Sequence, residues 1–332
     1  MTRIVQLKRG SERRVALVQE PSLRLLVGFD TTLALALAAI DGGKGLIALI
    51  TQAATSEQLS YDEVYRGVSP WRLVAPIDHG EPSRCLVSGT GLTHLGSAKN
   101  RQSMHSGAAT AETDSMRMFR WGVEGGRPAT GEIGTSPEWF FKGVGTILRG
   151  PGEPLVVSSY AEDGGEEAEI AGVYLIDRDG HPRRIGMAIG NEFSDHRFEK
   201  KNYLNLAGSK IRTCALGPEL VIDPDFKSVV GRASIERAGQ TIWTREIATG
   251  ETEMCHSLQN IEHHHFKFET HRRPGDVHVH YYGAHSLSFG DGVELMHGDS
   301  MVVEFTGYGR PLRNPIQISD QPDPLILVRS LA

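Results

Sequence analysis

Residues 166–194 read EEAEIAGVYLIDRDGHPRRIGMAIGNEFS and contain two apolar runs separated by a turn. The runs at 169–176 and 184–189 are rich in aliphatic and β-branched residues, which is typical of β-strands. Asp179-Gly180 between them is a turn signal. We therefore predict two strands here, with acidic residues at the start of the first and just after the second.

Similar short runs on both sides of this stretch predict a β-rich protein. Gly and Pro separate runs of this kind throughout the second part of the chain, whereas the first part also contains a helical pattern between Asp30-Thr31-Thr32 and Gly42-Gly43. The expected fold is α+β and β-rich, with a small N-terminal α/β domain over 1–75 and a larger β-rich domain over 76–332. The remaining predicted strands are 3–7, 14–19, 23–27, 154–158, 228–235, 241–247 and 276–282.

Two further segments receive predictions of their own. Apolar residues and one histidine recur at steps of four, three, four and three residues, and this spacing predicts a packing helix: they are Met254, Leu258, Ile261, His265 and Phe268. Residues 106–134 are rich in Gly, Ala, Thr and charge, which is typical of an insertion loop or lid.

Composition excludes several classes of protein. The chain has 332 residues, of which 39% are hydrophobic and 23% charged, as in folded soluble proteins. Its net charge is −6 and no run of five basic residues occurs, so we expect neither a nucleic-acid partner nor an anionic membrane surface. The longest apolar run, 33–40, is far shorter than the roughly 20 residues that cross a bilayer. Three separated cysteines without C-x-x-C spacing, and no secretory signal, predict a cytoplasmic protein.

Two common cofactor motifs are absent. Residues 89–94, GTGLTH, have two glycines of a dinucleotide-binding loop but a histidine in place of the third. The sequence also lacks the G-K-[ST] of a P-loop. We therefore expect neither a nicotinamide site nor an ATP site.

Three glutamates form a candidate metal site. If Glu167 and Glu169 lie on the strand, its period of two puts both carboxylates on one face, about 7 Å apart along the backbone. Glu192 follows the second strand. Three carboxylates with water suit a hard octahedral ion such as Mg²⁺ or Mn²⁺. The alternative interpretation is a solvated, charged strand start.

The histidines offer a rival metal site. His278 and His280 alternate on a predicted strand, His285 follows, and residues 263–265 are all histidine. A cupin-like H-x-H site normally includes a glutamate a few residues later, and here the chain continues with Tyr-Tyr-Gly-Ala-His. We favour surface or packed histidines.

Six sequence blocks, in order over residues 84–315, resemble those of the fumarylacetoacetate hydrolase superfamily. They are 137–142 (PEWFFK) with 150–152 (GPG), 167–170 (EAEI), 191–197 (NEFSDHR), 209–218 (SKIRTCALGP), 274–276 (PGD), and 298–304 (GDSMVVE) followed by Gly309, Leu312 and Asn314. The chain departs from the family at two loops, since T-G-T-P is replaced by 280–283 (HYYG) and N-Y-x-x-H survives only as 91–94 (GLTH).

The resemblance implies a mixed β-roll catalytic domain, a homodimer, and a divalent cation, Mg²⁺ or alternatively Mn²⁺. It assigns the cation to the same three residues that the charge pattern indicates, Glu167, Glu169 and Glu192. Glu192 stands where most members have aspartate, so the site must accommodate one more methylene.

Pro137-Glu138 and residues 190–194 resemble a branch whose members dehydrate 2-keto-3-deoxy sugar acids. The function expected from this branch is a magnesium-dependent dehydratase that converts 2-keto-3-deoxypentonate into 2-oxoglutarate semialdehyde in non-phosphorylative pentose catabolism. One alternative is a hydrolase of C–C bonds in acylpyruvates or 2,4-diketo acids, and another is a non-catalytic metal-binding protein.

The mechanism expected of this branch suggests roles for individual residues, and each role has a structural alternative. The alternatives are a surface ion pair for Glu138 and Lys142, a solvated loop cation for Lys210, and a structural role for His94. The catalytic candidates are Glu138, Lys142 and His94, and residues 138, 140 and 142 share one face if that segment is extended. Lys210 is expected to neutralise the substrate carboxylate with help from Arg212. The full set of expected substrate contacts is Lys210, Arg212, Ser194, Tyr281 and Gly91.

Overall fold

The computed structural model describes residues 1–105 and 112–331. The strands in this part of the chain are β1 Thr2–Arg9, β2 Glu12–Gln19, β3 Ser22–Leu26, β4 Ala54–Ser60, β5 Arg72–Val74, β6 Cys85–Gly91, β7 Glu138–Val144, β8 Leu148–Arg149, β9 Leu155–Val157, β10 Ala168–Ile176, β11 Pro182–Asn191, β12 Cys214–Leu216, β13 Leu220–Ile222, β14 Val229–Arg237, β15 Gln240–Thr249, β16 Val277–Tyr281, β17 Ser300–Phe305 and β18 Leu312–Ile318. The α-helices are α1 Thr32–Asp41, α2 Leu46–Ala53, α3 Tyr61–Tyr65, α4 Leu95–His105, α5 Asp114–Gly125, α6 His196–Lys201, α7 Leu206–Lys210 and α8 Leu258–Phe266.

The strands form two sheets. The larger sheet has the order β4-β3-β2-β1-β13-β11-β10-β16-β6-β7, with β5 on β1, β12 on β11 and β8 on β12. The smaller sheet has the order β15-β14-β17-β18-β9. Pairing is antiparallel except for β16 with β6, β12 with β8 and β18 with β9. The predicted β-rich α+β class is confirmed.

The centre of the larger sheet is buried on both faces. Every residue of β10 is buried, and its alternating side chains enter two different hydrophobic clusters. Ala171, Val173 and Leu175 pack in the cluster that also contains residues of α1 and α2, whereas Ala168 and Ile170 pack against residues of the smaller sheet. Burial on both sides explains the continuous apolar run at 170–176.

The first 75 residues contribute β1 to β5 to the larger sheet. β1 pairs with β13, so the N-terminal strands continue the sheet that carries β10 and β11. Ile4 and Val15 share a hydrophobic cluster with residues of β10 and β16. The division of the chain at residue 75 stays a prediction.

Local signals located each of the predicted strands to within about three residues, whereas many other strands and helices of the structure had no prediction. α1 begins after Thr31, whose side chain accepts a hydrogen bond from Ala34 N, and ends at Gly42, as predicted. The packing helix is shorter than its spacing predicted. Ser257 caps α8 and the helix ends at Phe266, so Met254 and Phe268 lie outside it, and Phe268 is 43% exposed.

The prediction of a loop at 106–134 is wrong for residues 114–125, which form α5 behind the Thr113 cap; residues 106–111 lie outside the described part of the chain. The glycines that suggested a loop allow close packing. A Cβ on Gly122 would lie 2.7 Å from Cys255 Sγ. The helix therefore needs glycine on the side that meets residues 255–256.

Two expectations from composition can be compared with the structure. All three cysteines are buried and free. No single helix in the described ranges is long and apolar enough to cross a membrane; α1 and α2 reach that length only as a pair bent by 117°.

Candidate metal centre and active site

The pairing of β10 with β11 places the acidic residues at one end of a hairpin. Ala168 lies opposite Asn191, and the pairing continues beyond the strands because Glu192 N donates to Glu167 O at 2.9 Å. A further backbone bridge joins Gly165 and Ser194. The hairpin register therefore brings Glu167 and Glu192 side by side, although 25 positions separate them in the sequence.

The three predicted carboxylates converge in the interior. Carboxylate oxygens of Glu167, Glu169 and Glu192 lie within 4.8 Å of one another, and the three residues are 7%, 1% and 0% exposed. Glu169 Oε2 also accepts a hydrogen bond from Gly283 N at 2.7 Å. The alternative interpretation, a solvated strand start, is wrong, because these carboxylates are buried.

Two buried lysines face the carboxylates. Lys210, at the end of α7, donates from Nζ to Glu167 Oε1 at 2.5 Å, Glu192 Oε2 at 2.6 Å and Ser194 Oγ at 3.1 Å. Lys142, on β7, forms an ion pair with Glu192 and also donates to the carbonyls of Phe193 and Lys210 at 2.7 and 2.8 Å. Two ammonium groups thus offset two of the three carboxylate charges.

Glu169 is the carboxyl group with the least cationic compensation, because the described ion pairs of this centre involve Glu167 and Glu192. Burial and the nearby charges of Glu192 and Glu167 raise its pKa well above the ordinary value. Burial also raises the pKa of Glu167, but Lys210 and His196 outweigh that effect and hold it well below the ordinary value. A divalent cation would favour the ionised form of Glu169, and an all-oxygen set of three carboxylates suits a hard ion. The residues present therefore fit the metal that the resemblance implies.

Strand β7 carries the catalytic candidates on one face, as predicted. Glu138, Phe140 and Lys142 are buried, whereas Phe141 between them is exposed. Lys142 contacts Glu192, and Lys210 Nζ lies 4.7 Å from the centre of the Phe140 ring. This face of β7 therefore lines the carboxylate centre.

Glycines on the neighbouring strand make room for this face. Gly91 lies opposite Glu138 in the β6–β7 pair, and a Cβ on Gly91 would lie 1.9 Å from Glu138 Oε1. A Cβ on Gly89 would lie 2.5 Å from the Phe140 ring. Tyr203 donates to Glu138 Oε2 at 2.8 Å. The two glycines that resembled a dinucleotide loop thus allow side chains of β7 to lie over β6.

His94 lies beside the loop that holds Glu169. Its two ring nitrogens lie 2.8 Å from Thr93 Oγ1 and 3.1 Å from Thr249 Oγ1. Thr93 Oγ1 donates to Tyr282 O, so it accepts from the His94 Nδ1–H. Burial lowers the pKa of His94 to about 3. His94 is therefore a neutral ring held by two hydroxyls, and its catalytic role stays a prediction.

The other expected substrate contacts are buried or nearly so, and three of them have partners within the protein. Arg212 pairs with Asp195 at 3.0 Å and its guanidinium lies 5.0 Å from the Tyr160 ring centre. Tyr281 donates to Ala215 O at 2.8 Å, and Ser194 donates to Glu192 Oε1 at 3.1 Å. Gly91 is half-buried beneath Glu138. Their roles toward a substrate stay predictions.

Several residues around the centre carried no recognised signal in the sequence. His196 Nε2 lies 3.2 Å from Glu167 Oε1, and it was present in the quoted block 191–197 without a role. Glu166 accepts from Ser288 N at 2.7 Å and Ser288 Oγ at 2.6 Å. Tyr203 lies between α6 and α7. No local pattern marks it, because only the tertiary structure brings this segment to β7.

The histidines form a packed cluster instead of the rival metal site. His280 lies 2.8 Å from Ser88 Oγ and 2.7 Å from Thr90 Oγ1. Trp139 Nε1 donates to His265 Nδ1 at 3.1 Å, so the His265 Nε2–H donates to His278 Nδ1 at 2.9 Å. In the described ranges, no set of three potential ligand atoms includes any of these rings. The packed interpretation of the histidines therefore fits the structure.

The buried histidines predict a loss of stability in mild acid. Burial lowers the pKa of His94, His278 and His280 to about 3, whereas an unfolded chain protonates histidine near 6.5. The unfolded state therefore binds more protons between these values. Each neutral histidine makes its full contribution to the free energy of unfolding above about pH 6.5. That contribution falls as the pH decreases toward 3, and the loss is about 2 kcal/mol per histidine at pH 5.

Denaturant titrations at pH 7 and pH 5 measure this difference in the free energy of unfolding. We expect His280→Gln, which keeps a partner for Ser88 and Thr90, to lose less stability than the parent between the two pH values. An equal loss in both proteins would contradict the assignment to His280.

Comparison with known proteins gives matches among solved structures. No family model matches the chain, and no curated protein sequence matches it. A structure of 2-keto-3-deoxyarabinonate dehydratase superposes with a TM-score of 0.72 at 16% identity, covering 96% of this chain and 100% of the other. 2-Keto-3-deoxy-D-arabinonate dehydratase complexed with magnesium and 2,5-dioxopentanoate gives 0.70 at 17% identity, with the same coverage.

Isomerases have the same fold. 5-Carboxymethyl-2-hydroxymuconate delta-isomerase from Mycobacterium smegmatis gives a TM-score of 0.56 at 17% identity, covering 96% of this chain and 100% of the other. Identities this low establish the fold only. The chain therefore has the fold of these dehydratase and isomerase structures.

Proposed function

We propose that this protein is a magnesium-dependent dehydratase that converts 2-keto-3-deoxypentonate into 2-oxoglutarate semialdehyde, in non-phosphorylative pentose catabolism. The observation that carries the proposal is the placement of Glu138 on the face of β7 that lines the buried carboxylate centre. Two of the structures with this fold are dehydratases of a 2-keto-3-deoxy sugar acid.

Glu167, Glu169 and Glu192 would hold Mg²⁺, with Mn²⁺ as a second candidate because it accepts the same oxygen ligands. When bound, the ion would supply a Lewis acid that polarises the keto oxygen of a 2-keto acid and so makes its C3 hydrogen more acidic. His196 and Lys210 orient the Glu167 carboxylate through Oε1.

The two lysines have different tasks in this proposal. Lys142 has carboxylate or carbonyl acceptors at three positions, so it orients Glu192 instead of transferring a proton. Lys210 pairs with Glu167 and Glu192. A divalent cation held by these carboxylates would compensate their charge, and Lys210 would then offset the carboxylate of a substrate. Arg212 is neutralised by Asp195, and we assign it to holding the loop before β12.

Glu138 is the proposed acid–base group. Dehydration removes a proton from C3 and the hydroxyl from C4, and the hydroxyl leaves as water only if it receives a proton. Tyr203 holds one oxygen of Glu138, while the other lies over Gly91. That carboxyl group is therefore oriented to exchange a proton with a substrate between β7 and the three carboxylates.

A product assay tests the function directly. Purified protein with Mg²⁺ should remove one water from 2-keto-3-deoxypentonate, detected by mass spectrometry, for at least one epimer. Hydrolysis of a 2,4-diketo acid, with gain of one water, would instead support the hydrolase alternative, which needs an activated water. No reaction with either substrate would favour a non-catalytic metal-binding protein.

Replacing Glu138 by glutamine tests the acid–base role. Glutamine keeps the size and hydrogen bonding but has no titrating proton, so turnover should fall about 10²-fold or more while Mg²⁺ and 2-keto acid binding persist. Steady-state kinetics and calorimetry measure the two effects. Glu132→Gln, at an exposed position, is the matched control and should behave like the parent. Parental turnover in Glu138→Gln would rule out the role.

Replacing Glu169 by glutamine tests the metal site with the least disturbance. Glu169 accepts a hydrogen bond from a backbone amide, which glutamine can also satisfy. Removal of Glu192 would instead take away the carboxylate partner of Lys142 and one of the two carboxylate partners of Lys210. Loss of one anionic ligand should weaken Mg²⁺ binding by about 10-fold or more, measured by titration after chelation. Glu57→Gln, at an exposed position of β4, should leave affinity unchanged. Parental affinity in Glu169→Gln would place the ion elsewhere.

We further propose that the protein is a cytoplasmic homodimer. Its free cysteines support a reducing compartment, which cell fractionation measures. The segment after β18 supports an interface, because Leu325, Ile326, Leu327 and Val328 are 84%, 79%, 74% and 95% exposed.

Light scattering tests the dimer, which should have twice the 36.3 kDa of one chain. Replacing Ile326 and Leu327 by aspartate places charge in the exposed apolar segment and should shift the protein to the monomer. Val68→Asp, at another exposed apolar position, should not change the mass. A monomeric parent at every concentration would contradict the proposal.

A further inference from the structure

A cleft elsewhere in the protein shares no lining residue with the carboxylate centre. It has a volume of about 740 Å³ and lies where the N-terminal strands β1 and β5 and the end of α3 meet the Pro151–Glu153 turn and the strands β17 and β18. Ligand pockets in proteins typically measure roughly 300–1,000 Å³. The cleft is therefore large enough for a small organic molecule.

The cleft is positively charged in a chain whose net charge is −6. Lys8, Arg66, Arg72 and Arg313 line it, against one carboxylate, Glu153. Glu153 already accepts a hydrogen bond from Gly150 N at 2.6 Å. Arg313 pairs with Glu236, whereas Lys8 and Arg72 are exposed and form no ion pair among the described residues. At least two cations are thus available to an anionic ligand.

The register of the sheet holds these two cations together. Lys8 on β1 lies directly opposite Arg72 on β5 in an antiparallel pair. Side chains opposite each other in this way have Cβ atoms roughly 4.5–5.5 Å apart, and like charges at such positions are destabilising. An anion between the two side chains would remove that repulsion. Arginine and lysine are also the residues that bind phosphate oxygens best.

Part of the remaining lining is apolar. Leu73 and Val64 are buried beneath the cleft, and Pro151 and Pro315 form part of its wall. Tyr65 is held in place because its hydroxyl donates to Pro311 O at 2.7 Å. This surface suits the carbon skeleton of a ligand better than it suits a bare inorganic ion.

We propose that this cleft binds a small organic phosphate, whose phosphate group lies between Lys8 and Arg72 and whose carbon skeleton lies against Tyr65 and the two prolines. Arg66 and Arg313 add positive charge at the rim. Because the lining residues come from both sides of residue 75, the ligand would also connect the N-terminal strands to the larger part of the protein.

Calorimetry with ribose 5-phosphate tests the site. The titration is made with a chelator present, so that no divalent ion at the carboxylate centre contributes. We expect one molecule to bind per chain, and affinity to fall at least about 10-fold in the variant with Lys8→Gln and Arg72→Gln, since both phosphate contacts are lost. Glu169→Gln should bind like the parent, because the cleft is separate from the metal centre.

A matched variant, Lys227→Gln with Arg178→Gln, removes two exposed cations elsewhere and should leave affinity unchanged. Equal affinity in the Lys8/Arg72 variant and the parent would overturn the proposal, as would the absence of binding up to about 10 mM. Ribose alone should not bind. Inorganic phosphate bound as tightly as ribose 5-phosphate would overturn the assignment of an organic ligand.

Discussion

Three carboxylates enclosed in the protein interior impose the main constraint on this structure. Burying an unpaired charge costs several kcal/mol even after relaxation, so the fold must supply compensating charge at the same place. Lys142 comes from the edge strand of the larger sheet and Lys210 from a short helix, and both reach Glu192. The hairpin, the edge strand and the helix therefore have to meet at this centre.

The alternation of side chains along β7 separates two environments. Glu138, Phe140 and Lys142 line the carboxylate centre, and Trp139 points to the other side, where it donates to His265. The first environment is rich in charge, whereas burial keeps the histidines of the second neutral. A shift of β7 by one residue relative to β6 would place each set of side chains in the other environment. The β6–β7 register is therefore as important for the site as the identity of its residues.

A shared fold does not decide between dehydration, isomerisation and hydrolysis, because all can begin by activation of a 2-keto acid at a divalent cation. The difference depends on which group exchanges protons with the substrate beside that cation. The group that we propose here is Glu138, and it has space because Gly91 opposite has no Cβ. The absence of a side chain at Gly91 therefore leaves room for the carboxyl group that the proposed chemistry requires.

The sequence by itself determined the features that depend on neighbouring residues. These are the strand periodicity, the caps of α1, the shared face of Glu138 and Lys142, and the placement of Glu167 and Glu169 on one side of the chain. Tertiary structure decided how charges are balanced. Lys142 forms an ion pair with Glu192 that no local pattern indicated, and α5 forms where glycine suggested a loop. These outcomes depend on contacts between segments far apart in the chain, such as the 50 positions between Lys142 and Glu192, and no local pattern records which buried charge will lie beside which partner.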